Sequence, residues 1–216
     1  MKSPIDAVKL DLKKDLKQFY APSPKKIEIV DVPEFQFVMI DGALEPGTAP
    51  ATSPAFQEAI GALYGAAYTL KFASKLRQEG PIDYPVMALE GLWTVPAGEI
   101  DVTRPEGWAW TLMILHPDHI TAEMLAEALR KLEVKRPSPA LALLRLERFR
   151  EGLCIQTMHV GPYADEPQTL ARMQSFALEN GLTYRGRHHE IYLGDPRLAA
   201  PEKLKTVLRQ PVARTG

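Results

Sequence analysis

Glu190 stands in a largely apolar run, His188-His189-Glu190-Ile191-Tyr192-Leu193. A carboxylate there is solvated on one strand face, tied into a salt bridge, or held for chemistry. Held in a dry site, it can attract a cation. With its pKa raised by burial, it can instead take a proton from water. Strand alternation places His188, Glu190 and Tyr192 on one face and His189, Ile191 and Leu193 on the other. Glu90, in Leu89-Glu90-Gly91-Leu92, occupies a similar place in the first half of the chain. Two carboxylates in one cleft would push their pKa values apart, giving one acid and one base. Trp93, Trp108, Trp110, Tyr64, Tyr163 and Tyr192 offer flat faces for stacking and cation–π contact, and each also suits a core. The hydroxyl of Tyr64 or Tyr163 can orient water or polarise a carbonyl. His159, at a strand end before Gly161-Pro162-Tyr163, is a further ligand-binding candidate; a structural bond to backbone is its alternative.

Other chemistries find no support. His188 and His189 are adjacent and point to opposite strand faces, so one ion cannot take both. His116 and His119 flank Pro117-Asp118 and read as a turn before a helix. Cys154 is the only cysteine, so no internal disulfide or cysteine-based zinc site forms. It reads as a small buried apolar residue. No phosphate-binding glycine loop and no Gly-x-Ser-x-Gly elbow is present. No metal or cofactor is expected. Lys and Arg total 26 against 27 Asp and Glu, and a chain without basic excess is a poor nucleic-acid binder. No apolar run approaches the ~18 residues that span a membrane, and Met1 to Tyr20 lacks a signal-peptide core. A cytoplasmic protein is expected.

These side chains need elements to position them. Asp6 to Tyr20 carries Leu12, Leu16 and Phe19 at helical spacing and predicts a short amphipathic helix. Phe35 to Ile40 reads as a strand, with Asp41-Gly42 as a turn signal. Ser53 and Pro54 open a helix with Phe56, Ile60, Leu63, Tyr64, Ala67 and Leu70 on one stripe, running to about Gln78. Tyr84 to Val95 and Trp108 to Leu115 read as strands joined by a hairpin-like loop over Pro96 to Gly107. Thr121 caps a helix bearing Leu125, Ala128, Leu129 and Leu132. In the second half, Leu153 to Val160 reads as a strand. Asp165 and Gln168 are spaced like a capping box, and Leu170, Met173, Phe176 and Ala177 form a helical stripe. Thr183 to Leu193 and Leu204 to Val212 read as the last strands.

Strand, helix, strand, strand therefore occurs twice, about 31–118 and about 142–213. The expectation is an α+β chain of two pseudo-symmetric βαββ repeats, with antiparallel sheets and a central cleft, forming one domain over 1–216 with an N-terminal extension at 6–20. Asp31-Val32-Pro33-Glu34-Phe35-Gln36-Phe37-Val38-Met39-Ile40-Asp41-Gly42 resembles the opening of the GyrI-like small-molecule-binding proteins. So do Ala88-Leu89-Glu90-Gly91-Leu92-Trp93 and Trp108-Ala109-Trp110-Thr111-Leu112-Met113. His159-Val160-Gly161-Pro162-Tyr163-Ala164-Asp165-Glu166-Pro167 and His189-Glu190-Ile191-Tyr192-Leu193-Gly194-Asp195-Pro196-Arg197 continue the likeness. It runs from about Leu12 to Val212.

That family is similar to the effector-binding domains of MerR-type multidrug regulators. The resemblance implies a stand-alone chain with a ligand cleft between the repeats and Glu190 as the functional pocket glutamate. The first function it implies is binding of bulky hydrophobic or cationic small molecules, with Glu90, Trp93, Trp108, Trp110, His159 and Tyr192 around the ligand. The second is hydrolysis of cyclopropanoid or other electrophilic toxic compounds, with Glu190, Tyr64 and Tyr163 catalytic. The third is regulation or inhibition of a protein partner such as gyrase. The partner expected first is a hydrophobic or aromatic small molecule, with neither nucleic acid nor membrane.

Overall fold

A computed structural model describes residues 7–94 and 108–215. The expected loop at Pro96 to Gly107 lies outside them. In chain order the elements are β1 (Val8–Lys9), α1 (Leu12–Asp15), α2 (Lys17–Tyr20), β2 (Glu28–Ala43), α3 (Pro54–Leu76), β3 (Ile82–Asp83), β4 (Leu89–Thr94) and β5 (Ala109–His116). There follow α4 (Ala122–Lys135), β6 (Arg145–Val160), α5 (Glu166–Glu179), β7 (Leu182–Tyr184), β8 (His188–Tyr192) and β9 (Lys205–Arg214).

Antiparallel pairing runs β6-β2-β5-β4-β8-β9, and β6 also pairs with β9, so six strands close a ring. β7 adds to the outer edge of β9. In the first half β2 pairs with β5 and β5 with β4. In the second, β6 pairs with β9 and β9 with β8. The halves join through β2–β6 and β4–β8. The mixed α+β architecture with antiparallel sheet is the fold class expected from the sequence, and the closure of that sheet into a barrel-like ring is what the strand pairing adds.

Helices α3 and α5 pack on the outside. Leu63, Ala66, Ala67 and Leu70 of α3 are buried against the first half, and Met173 and Ala177 of α5 join Ile155, Leu208 and Val212 of the second. Ser53 Oγ accepts from Phe56 N at 3.1 Å and starts α3 with Pro54 in its first turn, as its residue types predict. Thr121 caps α4 in the same way, at 3.3 Å. Gly42 permits a close crossing: a Cβ there would overlap the Trp110 indole, which lies flat over it.

Several local expectations change. The N-terminal helix breaks into two single turns, because Val8 and Lys9 pair with β3 and Phe19 and Tyr20 turn inward to be buried. The Tyr84 to Val95 strand shrinks to β4, since Pro85 has no N–H for a ladder. Thr183 to Leu193 splits at Gly186, whose φ of 64° breaks the strand into β7 and β8. Asp165 makes no side-chain cap: a 3₁₀ turn over Tyr163–Asp165 leads straight into α5 and holds Asp165 in helical φ/ψ.

Candidate functional site

Register decides what surrounds Glu190. In the β4–β8 ladder Glu190 lies opposite Gly91, Tyr192 opposite Leu89 and His188 opposite Trp93. These side chains share the outer face, beneath α3 and the start of α5. Across β9, Glu190 lies opposite Leu208 and Tyr192 opposite Thr206. The site therefore sits on the seam where one strand from each half meets.

Trp93 Nε1 donates to the Tyr192 hydroxyl at 3.0 Å. Gly91 makes room for that bond: a Cβ there would stand 3.1 Å from both atoms. Tyr163 meets Tyr192 edge-on, with ring centroids 6.2 Å apart. His188 Nε2 lies 3.6 Å from Glu190 Oε1. Burial pushes the His188 imidazole down to about 4, so it is neutral at pH 7. Burial pushes the Glu190 carboxyl up to about 7, while Tyr192, the His189 charge and Trp93 pull the other way.

A second carboxyl group shares the site. Glu166, the first residue of α5, is 4% exposed, and burial with the charge of Glu190 pushes it up to about 9. Its Oε1, the Thr206 hydroxyl and His188 Nε2 are buried without hydrogen-bond partners. Sequence reasoning missed Glu166 because an acidic residue in a helix's first turn is ordinarily solvated. Its phase carried the signal, since Glu166, Thr169, Met173 and Ala177 form one buried stripe.

The tyrosines stand at the rim. Burial raises Tyr64, and the Leu89 backbone and the charges of Asp195 and Arg197 act on it. Tyr163 is 37% exposed; burial, helped by Glu166, Glu190 and Asp195, pushes its hydroxyl up to about 12. Asp195 thus acts on both hydroxyls, one from α3 and one from the turn before α5. A shallow hollow of about 410 Å³ lined by Ile27, Arg172 and Phe176 lies elsewhere on α5 and includes none of these residues.

Four expected ligand contacts are placed differently. Glu90 is on the inner face, opposite Ile191, because alternation turns neighbouring Gly91 toward Glu190. There it accepts from the Tyr20 hydroxyl at 2.5 Å and from His189 Nε2 at 3.0 Å. His189 Nδ1 lies 3.1 Å from Glu151, which also takes Arg209 Nη1 at 3.1 Å. Burial opposes the His189 charge, but Glu151 and Glu90 raise its pKa overall. His189 and Arg209 hold the Glu151 carboxyl at about 2 against its own burial. Trp110 is buried edge-on against Phe56, which stacks on Trp93 at 5.5 Å. Trp108 is buried against the other side of Trp93. Both support Trp93 and stay in the core. His159 has both ring nitrogens engaged, with Thr169 at 3.0 Å and the Pro162 carbonyl at 3.2 Å.

Trp93 and Tyr163 both meet Tyr192, which shares the strand face of Glu190, while Tyr64 stands by the Leu89 backbone. No group of three or more metal-ligating side chains occurs among the described residues. No helix there is long and apolar enough to cross a membrane.

A family model for the GyrI-like small molecule binding domain matches residues 132–213. A solved structure of an uncharacterized conserved protein from Listeria innocua is 41% identical. The match covers 94% of this chain and 100% of that one, with a TM-score of 0.84. The chain belongs to the GyrI-like family. Two further solved structures from Listeria innocua, each described as a hydrolase, are 39% and 40% identical. They cover 94% and 95% of this chain and 100% of their own, with TM-scores of 0.80 and 0.83. The C-terminal domain of EcmrR shares the GyrI-like fold at 10% identity, with a TM-score of 0.55 over 88% of this chain and 98% of its own. Among curated protein sequences, none matches this chain.

Proposed function

We propose that this GyrI-like chain is a hydrolase of small, largely apolar electrophilic compounds, cyclopropanoid alkylators first among them. The Glu190 carboxyl, with its side chain only 14% exposed on the face that carries the bonded Trp93 and Tyr192, together with the buried Glu166 carboxyl, is the observation that carries this reading, and desolvation raises both. A site that only holds an apolar ligand gains nothing from two desolvated carboxyl groups, which are costly to bury. A general base is most effective when its pKa lies near the working pH. The description of two relatives as hydrolases supports the same reading.

In this reading Glu190 takes a proton from water, and the water oxygen attacks the strained ring. Trp93 and Tyr192 fix the base from below. Tyr163 or Tyr64 at the rim polarises the substrate carbonyl, and their rings hold its flat body. The two halves form one domain with the site on their seam, in a cytoplasmic protein.

The test is incubation with a cyclopropanoid compound, followed by mass spectrometry, for wild type and Glu190→Gln. Catalytic gain of one water, lost in the variant while binding of the intact compound persists, is expected. Unaltered compound that quenches Trp fluorescence would make the chain a sequestering binder. Unchanged turnover in Glu190→Gln would remove Glu190 from the base role.

A further inference from the structure

The hydrolytic reading leaves Glu166 without a task. Its position is unusual for its residue type. A carboxylate in the first turn of a helix gains from the free N–H groups and the dipole there. Glu166 is instead 4% exposed, next to the buried Thr206 hydroxyl of β9, and its Oε1 lacks a well-formed hydrogen bond. A poorly paired buried polar atom is costly, and Glu166 Oε1, the Thr206 hydroxyl and His188 Nε2 are all buried in this region without a well-formed hydrogen bond. Two carboxyl groups sharing a desolvated site cannot both ionise cheaply, so one retains a proton when the other loses its own. Glu190 stands on β8 and Glu166 on α5, both of the second half, and the charge of Glu190 acts on Glu166.

We propose that Glu166 is a second catalytic carboxyl group, the general acid that works opposite Glu190 on the same substrate. The proposal rests on the hydrolase reading and deepens it. Glu190 as carboxylate takes one proton from water, and the water oxygen forms a bond to the ring carbon. The strained carbon–carbon bond breaks, and its electron pair moves through the conjugated system onto the carbonyl oxygen. Glu166 gives its proton to that oxygen. The product has gained one water, and no oxidant or reductant takes part. The proton on Glu190 then passes to Glu166, and both groups return to their starting states.

Several groups face the pair. Tyr192 and neutral His188 come from β8, Thr206 from β9, Trp93 from β4 and Tyr163 from the turn before α5. His189, behind the sheet, is the cation that acts on Glu190. The aromatic and hydroxyl groups hold the pair without neutralising it, which leaves Glu166 free to carry a proton at neutral pH.

The test is the pH dependence of kcat/KM with a spirocyclopropyl dienone, for wild type, Glu166→Gln and Glu166→Asp. Wild type is expected to give a bell-shaped profile. Glu166→Gln should lose about 100-fold or more and the decline at high pH, and Glu166→Asp should recover part of both. A Glu166→Gln enzyme with wild-type rate and profile would overturn the acid role while leaving the hydrolase reading intact. Wild type without turnover would end the hydrolase reading and the acid role with it. Infrared difference spectra of wild type against Glu166→Gln at pH 7 report on the pair independently of turnover. A protonated-carboxyl band absent from the variant is expected, and its absence from wild type would overturn the proposal.

Discussion

Glu190 and Glu166 carry their protons more tightly in the folded chain than in the unfolded one, and that has a consequence for stability. Ordinary glutamates titrate near 4.5, whereas these two titrate near 7 and 9, chiefly because burial disfavours their charged forms. A group whose folded pKa is raised contributes stability that is full below its unfolded pKa. That contribution is lost as pH rises through the folded value. The loss therefore falls between about pH 4.5 and pH 9. Glu166→Gln removes one of the two ionisations and keeps the shape. It should melt higher than wild type at pH 9, by on the order of 5 °C, with the difference shrinking toward pH 5. Calorimetry at pH 5, 7 and 9 checks this. A difference that does not change with pH would mean that Glu166 titrates in the folded chain as it does in the unfolded one. The same comparison shows the cost of function, since a site is often built from groups that the fold alone would not keep.

At the scale of elements, Glu190 needs β4 and β8 in one register. The helices α3 and α4 were legible because their apolar stripes and their Ser53 and Thr121 caps are local signals. Strand ends were less legible. β2 and β6 each run 16 residues because they pair with long neighbours, a fact that their own residues do not record. The importance of Gly91 was invisible for the same reason, since it is fixed by the partner strand. An alanine there would press on Trp93 Nε1 and the Tyr192 hydroxyl, each 3.1 Å from the new methyl group. Gly91→Ala should break the bond between them, worth about 1 kcal/mol, and lower the melting temperature by roughly 3 °C. Turnover should fall about tenfold or more, since misplacing a catalytic group is costly. Thermal melts and kcat on the same preparation separate the two effects. Full activity with Tyr192 displaced would show that Glu190 does not depend on this support.

At the scale of the molecule, closure of the ring separates two charged systems that look alike in sequence. Glu90 and Glu190 occupy matching positions in matching strings, and that similarity suggested a shared cleft. Antiparallel pairing of β4 with β8 sets Glu90 opposite Ile191, and a shift of one residue changes the face of the sheet. Glu90 thus joins His189, Glu151 and Arg209 inside, and the N-terminal segment reaches in to complete their hydrogen bonds. Tyr20 donates to Glu90, and the Phe19 carbonyl accepts from Arg209 Nη2 at 2.6 Å. Gln156, which holds Arg209 Nε, also donates to the Gln18 carbonyl at 2.7 Å. Buried charges of this kind are costly unless every partner is present. The segment at 17–20 is therefore part of the cooperative fold, although its sequence reads as a surface helix. Tyr20→Phe keeps the ring and removes one donor to a carboxyl group that is 1% exposed. It should destabilise the chain by about 1–3 kcal/mol and speed amide exchange over residues 12–22, both measurable by urea unfolding and hydrogen exchange. Unchanged stability and exchange would mean that the N-terminal segment unfolds independently of the ring and that the inner charges are held by the strands alone.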